Sequence, residues 1–217
     1  HYTGHLRAAD GRRFGFEYVL FRAERGAFPV SWASHLALTD ETGQRFLYAQ
    51  RAEIGNQVDT SPRGVTGEAV GFELAVRGLD PTRPGAPVGA PWKMAGATGL
   101  DRLAAGVSPE EAALQGQALP FGIDLTVAAE RPPVLHNEIG WIEFGPAGSS
   151  YYYSRTRMAA TGAVTLGDAS FAVDGTAWFD HQWGDFISVG AGGWDWFAVN
   201  LDDGTDLTLS IVRDRDD

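Results

Sequence analysis

Hydrophobic and polar residues alternate with a period of two along much of this chain. In residues 13–21, one face carries four alternating side chains: Phe14, Phe16, Tyr18 and Leu20. Residues 121–127 alternate in the same way, and the pattern stops at Pro132 and Pro133. Because successive side chains of a strand point to opposite faces, this period predicts β-strands with one buried face.

Turn residues join several of these predicted strands into hairpins. The sequence D-E-T-G lies between residues 34–39 and 45–50, and Gly167-Asp168 lies between 163–166 and 169–173. Glycine at a short connection is typical of a hairpin turn. A further strand is expected to open at the tyrosine run 151–153.

The last hairpin allows two registers. A two-residue Asp-Gly loop would pair Leu201 with Asp206, whereas a three-residue loop at 203–205 pairs Leu201 with Leu207. The second register, which also pairs Val199 with Leu209 and Phe197 with Ile211, is preferred because it brings one apolar face together. The opposite face carries Trp194, Trp196, Asn200, Thr208 and Ser210. One apolar and one mixed aromatic face suit a β-barrel that encloses a ligand cavity.

Helical signals are few. Ser108-Pro109-Glu110-Glu111 combines a capping serine with proline at the first helical position, which predicts about two helical turns ending before Gly116. Residues 78–106 are rich in Gly, Pro and Ala, and they are interpreted as a long excursion between strands. The pattern as a whole therefore predicts an all-β fold with one or two short helices.

The composition and net charge limit the classes of molecule that this chain is expected to bind. A net charge of −11 disfavours nucleic acid and anionic membrane surfaces, and no apolar run is long enough for a membrane span. The absence of cysteine excludes disulfides and thiolate chemistry. No P-loop, dinucleotide fingerprint, H-E-x-x-H or G-x-S-x-G motif occurs, so neither a cofactor nor a metal is expected. The histidines are isolated apart from His1 and His5, a weak metal signal.

Aromatic and ionisable residues are concentrated in residues 174–186, D-G-T-A-W-F-D-H-Q-W-G-D-F. In a strand, Phe179, His181 and Trp183 share one face, and Trp178, Asp180 and Gln182 share the other. Asp180 and His181 therefore do not form a dyad. One interpretation is an ordinary core strand with a structural histidine.

The other interpretation is an acid in an aromatic cavity. Aromatic surroundings keep a carboxyl group protonated near neutral pH, and Trp faces stabilise a carbocation. Such a site would protonate an alkene and hold the cation until water arrives. The candidate proton donors are Asp180, His181 and Asp195, with Arg155 or Arg157 as an alternative structural partner of Asp195.

Several segments carry a family resemblance. These are Y-T-G-H-L at 2–6, G-R-R-F-G-F at 11–16, P-P-V-L at 132–135, Y-Y-Y-S-R-T-R at 151–157, G-T-A-W-F-D-H-Q-W-G at 175–184, and G-W-D-W-F with L-D-D-G-T in 193–205. On these segments the chain resembles the N-terminal domain of the carotenoid 1,2-hydratase and AttH-like family of lipocalin-like proteins.

The resemblance implies a lipocalin-like antiparallel β-barrel, or strongly curved sheet, over 1–217, with a second similar domain beyond 217 as its partner. It implies cofactor-free, acid-catalysed addition of water to an isoprenoid double bond, with His181 and Trp183 matching an H-x-W motif. The hydratases also use a Tyr and an Asp from a later strand. Here that strand carries Thr208 and Ser210 instead.

The sequence therefore predicts a site for a hydrophobic isoprenoid or polyene molecule. The expected catalytic residues are His181, Asp180 and Asp195, and the expected ligand-binding residues are Trp178, Trp183, Trp194, Trp196 and Tyr153. The expected chemistry is alkene hydration or cyclisation. The alternatives are a non-catalytic carrier or structural domain, and a secreted hydrolase, for which no nucleophile or metal is found. An exported location is favoured.

Overall fold

The computed structural model describes residues 1–67, 70–80, 82–83, 85–145, 148–186 and 193–213 of the chain. These residues form fourteen β-strands, one α-helix and one 3-10 helix. The strands are β1 Tyr2–Ala8, β2 Arg13–Ala23, β3 Ser31–Asp40, β4 Arg45–Ile54, β5 Phe72–Val76, β6 Trp92–Ala97, β7 Leu100–Val107, β8 Phe121–Ala129, β9 Val134–Leu135, β10 Trp141–Glu143, β11 Gly148–Leu166, β12 Ala169–Phe186, β13 Gly193–Asn200 and β14 Asp206–Arg213. Helix α1 spans Pro109–Leu114, and the 3-10 helix spans Asn56–Val58.

Twelve of these strands form one sheet, in the order β4-β3-β2-β1-β12-β11-β8-β7-β6-β5, with β9 and β10 paired to β11. Neighbouring strands from β1 to β4 and from β5 to β8 run antiparallel. Strands β13 and β14 form a separate antiparallel hairpin.

The chain divides into two compact units. Unit 1 comprises His1–Ala128 and Ala159–Ala177, and unit 2 comprises Ala129–Met158 and Trp178–Asp217. The long strands β11 and β12 contribute residues to both units.

The alternating residues of the sequence form the core of unit 1. Phe14, Phe16 and Tyr18 of β2 are buried, and so are all four alternating apolar residues of β8: Phe121, Ile123, Leu125 and Val127. The period of two therefore located the buried face of both strands, since strand side chains alternate between faces.

The two end strands of the sheet, β4 and β5, approach each other within unit 1. Arg51 of β4 donates a hydrogen bond to the carbonyl of Val76 in β5 at 3.3 Å, and Glu53 accepts one from the backbone N–H of Arg77 at 2.7 Å. These side chains bridge the sheet edges, so the sheet of unit 1 is nearly closed. The predicted all-β fold with an antiparallel, barrel-like sheet is confirmed.

Helix α1 begins as its capping signature predicts. The Ser108 hydroxyl accepts a hydrogen bond from the backbone N–H of Glu111, with Pro109 at the first helical position. The helix ends at Leu114, before Gly116 takes a positive φ of 68°. No helix among the described residues is long and apolar enough to cross a membrane.

The interpretation of residues 78–106 as a long excursion is wrong. Strand β6 and most of β7 lie in this range, and they are paired with each other from Lys93 to Ala104. Their buried residues alternate as in other strands, with Trp92 and Met94 in β6 and Leu103 in β7. The many small residues between them obscured this alternation in the sequence.

The predicted register of the last hairpin is also wrong, by two residues. Val199 pairs with Leu207 and Phe197 pairs with Leu209, because the loop consists of residues 202–204. The Leu201 N–H donates to the Thr205 carbonyl at 2.8 Å, and Gly204 supplies the positive φ of 89° that this turn needs. A shift of two residues keeps each side chain on its face, so the apolar face remains together.

Candidate functional site

Unit 2 contains a half-open pocket with a volume of about 320 Å³. This volume is at the small end of the roughly 300–1,000 Å³ that is usual for ligand sites. Its walls combine one indole and one aliphatic side chain with hydroxyl, imidazole and charged groups: Arg131, Val134, His136, Ser154, Thr156, Trp178, Gly204, Thr205, Asp206 and Thr208. The pocket therefore suits a small molecule with both apolar and polar parts.

A chain of hydrogen bonds connects this pocket to a buried carboxyl group. His136 Nε2 lies 2.7 Å from Ser154 Oγ, and Ser154 Oγ in turn donates to Asp180 Oδ1. Trp178 Nε1 also donates to Asp180 Oδ1, at 3.0 Å. His136 and Ser154 line the pocket, whereas Asp180 is buried behind them. Each neighbouring pair shares a hydrogen bond, so the chain is continuous from the pocket to Asp180.

Strand pairing sets the geometry of this chain. Strand β9 pairs with β11, opposite Ser154 at Val134, and the His136 N–H donates to the Tyr152 carbonyl at 3.1 Å. The imidazole then stacks on the Tyr152 ring, with 3.8 Å between centroids and 12° between planes. The imidazole is thus fixed by backbone pairing and by an aromatic neighbour.

The surroundings of His136 and Tyr152 change their acidity. Burial lowers the pKa of His136, although the charge of Asp180 opposes the effect, so the imidazole is neutral at neutral pH. Burial raises the pKa of Tyr152, and the nearby Asp180 carboxyl raises it further. A hydrogen bond with Trp196 acts in the opposite direction on Tyr152.

The order Asp180–Ser154–His136 differs from that of a serine-hydrolase triad. In a triad the histidine lies between the serine and the acid, where it removes the serine proton. Here the serine lies in the middle and donates directly to the carboxyl group. The arrangement therefore fits proton transfer along the chain better than activation of a nucleophile.

The other face of β12 carries a series of aromatic rings. His181 stacks on Trp183 with 4.5 Å between centroids, and Tyr153 contacts both rings at 5.4 and 6.1 Å. Trp183 is 45% exposed. His181 itself remains partly exposed to solvent, but its aromatic neighbours cover one side of the imidazole, and this partial desolvation lowers the pKa of His181 to about 4.

The structure thus separates the predicted site residues into two groups. Trp178, Asp180 and Trp196 lie together, with the two indole rings 6.2 Å apart, while Tyr153, His181 and Trp183 lie on the opposite face of the strands. The alternation of residues 178–183 in the sequence predicts this separation.

The remaining predicted residues belong to the last hairpin. Asp195 is half-buried on β13, and the side chain of Trp194 lies outside the described part of the structure. Arg157, one of the partners considered for Asp195, is bound to Asp206 at 2.7 Å. The apolar face of this hairpin points outward, with Phe197 52% exposed.

Sequence reasoning missed His136, Ser154 and Tyr152. In the sequence His136 is an isolated histidine, because its partners Tyr152 and Ser154 are 16 and 18 residues away. A signal was present in Y-Y-Y-S-R-T-R, where Tyr152, Ser154 and Thr156 alternate along one face of β11. Among the described residues, no group of three or more His, Cys, Asp or Glu side chains could hold a metal ion.

Comparisons with known proteins agree with this fold. A family model described as AttH-like matches residues 1–217. A crystal structure of an AttH protein from Nitrosomonas europaea has 25% sequence identity and a TM-score of 0.72, over 100% of this chain and 60% of that one.

A second similar structure is kievitone hydratase from Nectria haematococca. It has 12% identity and a TM-score of 0.59, over 96% of this chain and 59% of that chain, and at this identity the likeness shows the fold alone. The chain therefore spans about 60% of the length of the solved structures that it matches. No curated protein matches the chain.

Proposed function

This chain belongs to the AttH-like family, and we propose that the pocket of unit 2 binds a small alkene and adds water to its double bond. The observation that carries this proposal is the hydrogen-bonded chain from Asp180 through Ser154 to His136, which reaches a pocket walled by Trp178. The fold likeness to kievitone hydratase agrees with this chemistry but does not carry it.

The proposed reaction requires the form in which Asp180 carries a proton and donates it to Ser154 Oγ, the reverse of the hydrogen bond that its carboxylate accepts. Ser154 Oγ transfers its proton to one alkene carbon and receives the proton of Asp180, so the double bond becomes a carbocation and Asp180 becomes a carboxylate. The Trp178 indole faces the same pocket and stabilises the cation, an effect of about 0.5–2 kcal/mol.

Water then completes the addition. A water molecule attacks the cation, and neutral His136 accepts the released proton at Nδ1, since its Nε2 faces Ser154. The proton on Nε2 passes to Ser154, and the Ser154 proton returns to Asp180. His136 is left with its proton on Nδ1, and exchange with solvent water at the half-buried ring returns it to the form protonated on Nε2. The protein then regains its starting state and the substrate has gained one water molecule, so no cofactor is consumed.

His181 takes no donor role in this proposal. With a pKa of about 4, its imidazole is neutral at pH 7 and has no proton to give to an alkene. We propose a second aromatic surface on the opposite face of β12, formed by His181, Trp183 and Tyr153, that contacts a ligand. Asp195 has no role in the proposed hydration reaction.

The second candidate function is a carrier that binds the same molecule without converting it. The observation that favours it lies in β14, where Thr208 and Ser210 occupy the strand in which the resemblance implies a Tyr and an Asp. We also propose that a second, similar domain is the partner of this one in the full-length protein, because the chain spans about 60% of the structures it matches.

Hydration of citronellol, a small trisubstituted alkene, in H2(18)O tests the proposal. Incorporation of one labelled oxygen, detected by mass spectrometry, is the expected result. Ser154→Ala should lower kcat by about 10²–10⁴-fold and leave the binding affinity nearly unchanged, since it removes a proton-transferring group. Ser150→Ala is the matched control, because Ser150 is also buried on β11 but accepts a hydrogen bond from Gln182.

Three outcomes separate the alternatives. Binding without any labelled product favours the carrier. Loss of turnover in His181→Ala, with full activity in Ser154→Ala, moves the chemistry to the opposite face of β12. Equal loss in Ser154→Ala and Ser150→Ala indicates a structural effect and contradicts the proposed proton path.

A further inference from the structure

Arg131 lines the same pocket as Ser154 and His136, but the hydration chemistry does not use it. Its Nη1 donates to the Gly204 carbonyl at 2.6 Å and to Asp206 Oδ2 at 3.1 Å. Among the described residues, no hydrogen bond reaches its Nε or Nη2. One edge of the guanidinium is therefore held by the protein, and the other edge keeps donors for a ligand.

The carboxylate beside Arg131 is already occupied by other donors. Asp206 accepts from Arg157 Nη2 at 2.7 Å, from Asn200 Nδ2 at 2.7 Å and from Thr156 Oγ1 at 2.8 Å. Burial acts to raise the pKa of Asp206, but these hydrogen bonds together lower it below the usual value. Asp206 is therefore ionised at neutral pH.

Two guanidinium groups thus share the single charge of Asp206. Arg157 makes the shorter contact, and the carboxylates of Glu130 and Asp202 also act on Arg157. The contact of Arg131 with Asp206 is longer, and Arg131 is 43% exposed at the pocket. Because Arg157 neutralises most of the negative charge of Asp206, the positive charge of Arg131 remains available to a bound molecule.

We infer that Arg131 determines specificity by binding an oxygen acceptor, best a carboxylate, at the polar end of the substrate. This inference rests on the proposed function. It narrows the substrate class to amphipathic alkenes, in which the double bond meets Ser154 and an oxygen meets Arg131. A charged or bidentate acceptor binds best, since a guanidinium forms its strongest hydrogen bonds with carboxylates.

Three probes that share one alkene end test the inference by isothermal titration calorimetry. They are citronellic acid, citronellol and the hydrocarbon 2,6-dimethyloct-2-ene. We expect citronellic acid to bind at least about tenfold more tightly than the hydrocarbon, with citronellol between them. Arg131→Gln should remove this preference and leave the hydrocarbon affinity within about twofold.

Arg102→Gln is the matched control. Arg102 is another exposed arginine paired with one aspartate, Asp124 at 3.1 Å, and its loss changes the net charge by the same amount. It lies in β7 of unit 1 and does not line the pocket, so the acid preference should persist.

The outcomes keep this inference separate from the proposed function. The inference is overturned if the wild type does not prefer the acid, or if Arg131→Gln weakens all three probes equally, as loss of the Gly204 turn would. Hydration of the hydrocarbon without any acid preference overturns the inference alone. Acid preference without labelled product overturns the hydration step alone, and no binding of any probe overturns both.

Discussion

At the scale of single residues, two histidines of unit 2 make stability depend on pH. His136 and His181 both have pKa values below the ordinary value of about 6.5. The unfolded chain therefore binds more protons than the folded chain as the pH falls below about 6.5, until His181 itself takes a proton near pH 4. The free energy of unfolding should fall through this window and should be unaffected by these groups above about pH 7.5.

Urea denaturation at pH 7.5 and pH 5.0 measures this effect, since ordinary carboxyl groups remain mostly ionised over that range. The His181→Gln variant should lose part of the decrease between the two pH values. Titration of the imidazole protons by NMR supplies an independent check. A midpoint for His181 at or above 6.5 would show that its aromatic neighbours do not desolvate it.

The residue scale also shows what the sequence could reveal of the site. Alternation in β12 placed Asp180 beside Trp178 and away from His181, as the structure has them. It could not reveal His136, because contacts between residues 18 or 26 apart depend on how β9, β11 and β12 pair. A buried relay of this kind is a tertiary feature, and no local spacing encodes it.

At the scale of elements, helix α1 is joined to strand β4 by a buried ion pair. Arg51 Nε and Nη2 donate to the two carboxylate oxygens of Glu111 at 2.8 Å each, and both side chains are almost completely buried. The guanidinium carbon also lies 4.4 Å from the Trp92 ring centroid. Three backbone carbonyls, of Val76, Ala90 and Gly106, accept its remaining donors.

Glu111→Gln should therefore destabilise the protein by about 3–5 kcal/mol, since it leaves the buried charge of Arg51 without its carboxylate. Urea denaturation measures the change. Glu110→Gln, an exposed neighbour on the same helix, should change the free energy of unfolding by less than about 0.5 kcal/mol. If the two variants had equal stability, the pair would not anchor the helix.

The elements themselves were predictable where large residues alternate or a cap is explicit. The strands β2 and β8 and the start of α1 follow directly from their sequences. The strands β6 and β7 could not be predicted in this way, because their segments K-M-A-G-A and R-L-A-A-G-V carry few large side chains. Their strand state depends on pairing with neighbours, which compensates for the weak local preference.

At the scale of the whole molecule, an exposed apolar stripe contrasts with a strongly acidic chain. The outer face of the β13–β14 hairpin carries five apolar residues that are 38–54% exposed: Phe197, Val199, Leu207, Leu209 and Ile211. Contiguous apolar surface favours association, whereas a net charge of −11 makes copies of the chain repel each other. Salt screens this repulsion, with a Debye length of about 10 Å at 0.1 M and about 3 Å at 1 M.

Association through the stripe should therefore increase with salt concentration. Sedimentation velocity at 0.05 M and 1 M NaCl should show larger species at high salt, and Phe197→Ser with Leu209→Ser should reduce them. The control pair is Phe28→Ser with Val65→Ser, two residues at least as exposed that lie outside the hairpin. Because single exposed apolar residues do not form a continuous surface, the control should associate like the wild type. An equal decrease in both double variants would mean that total apolar exposure, rather than the stripe, drives association.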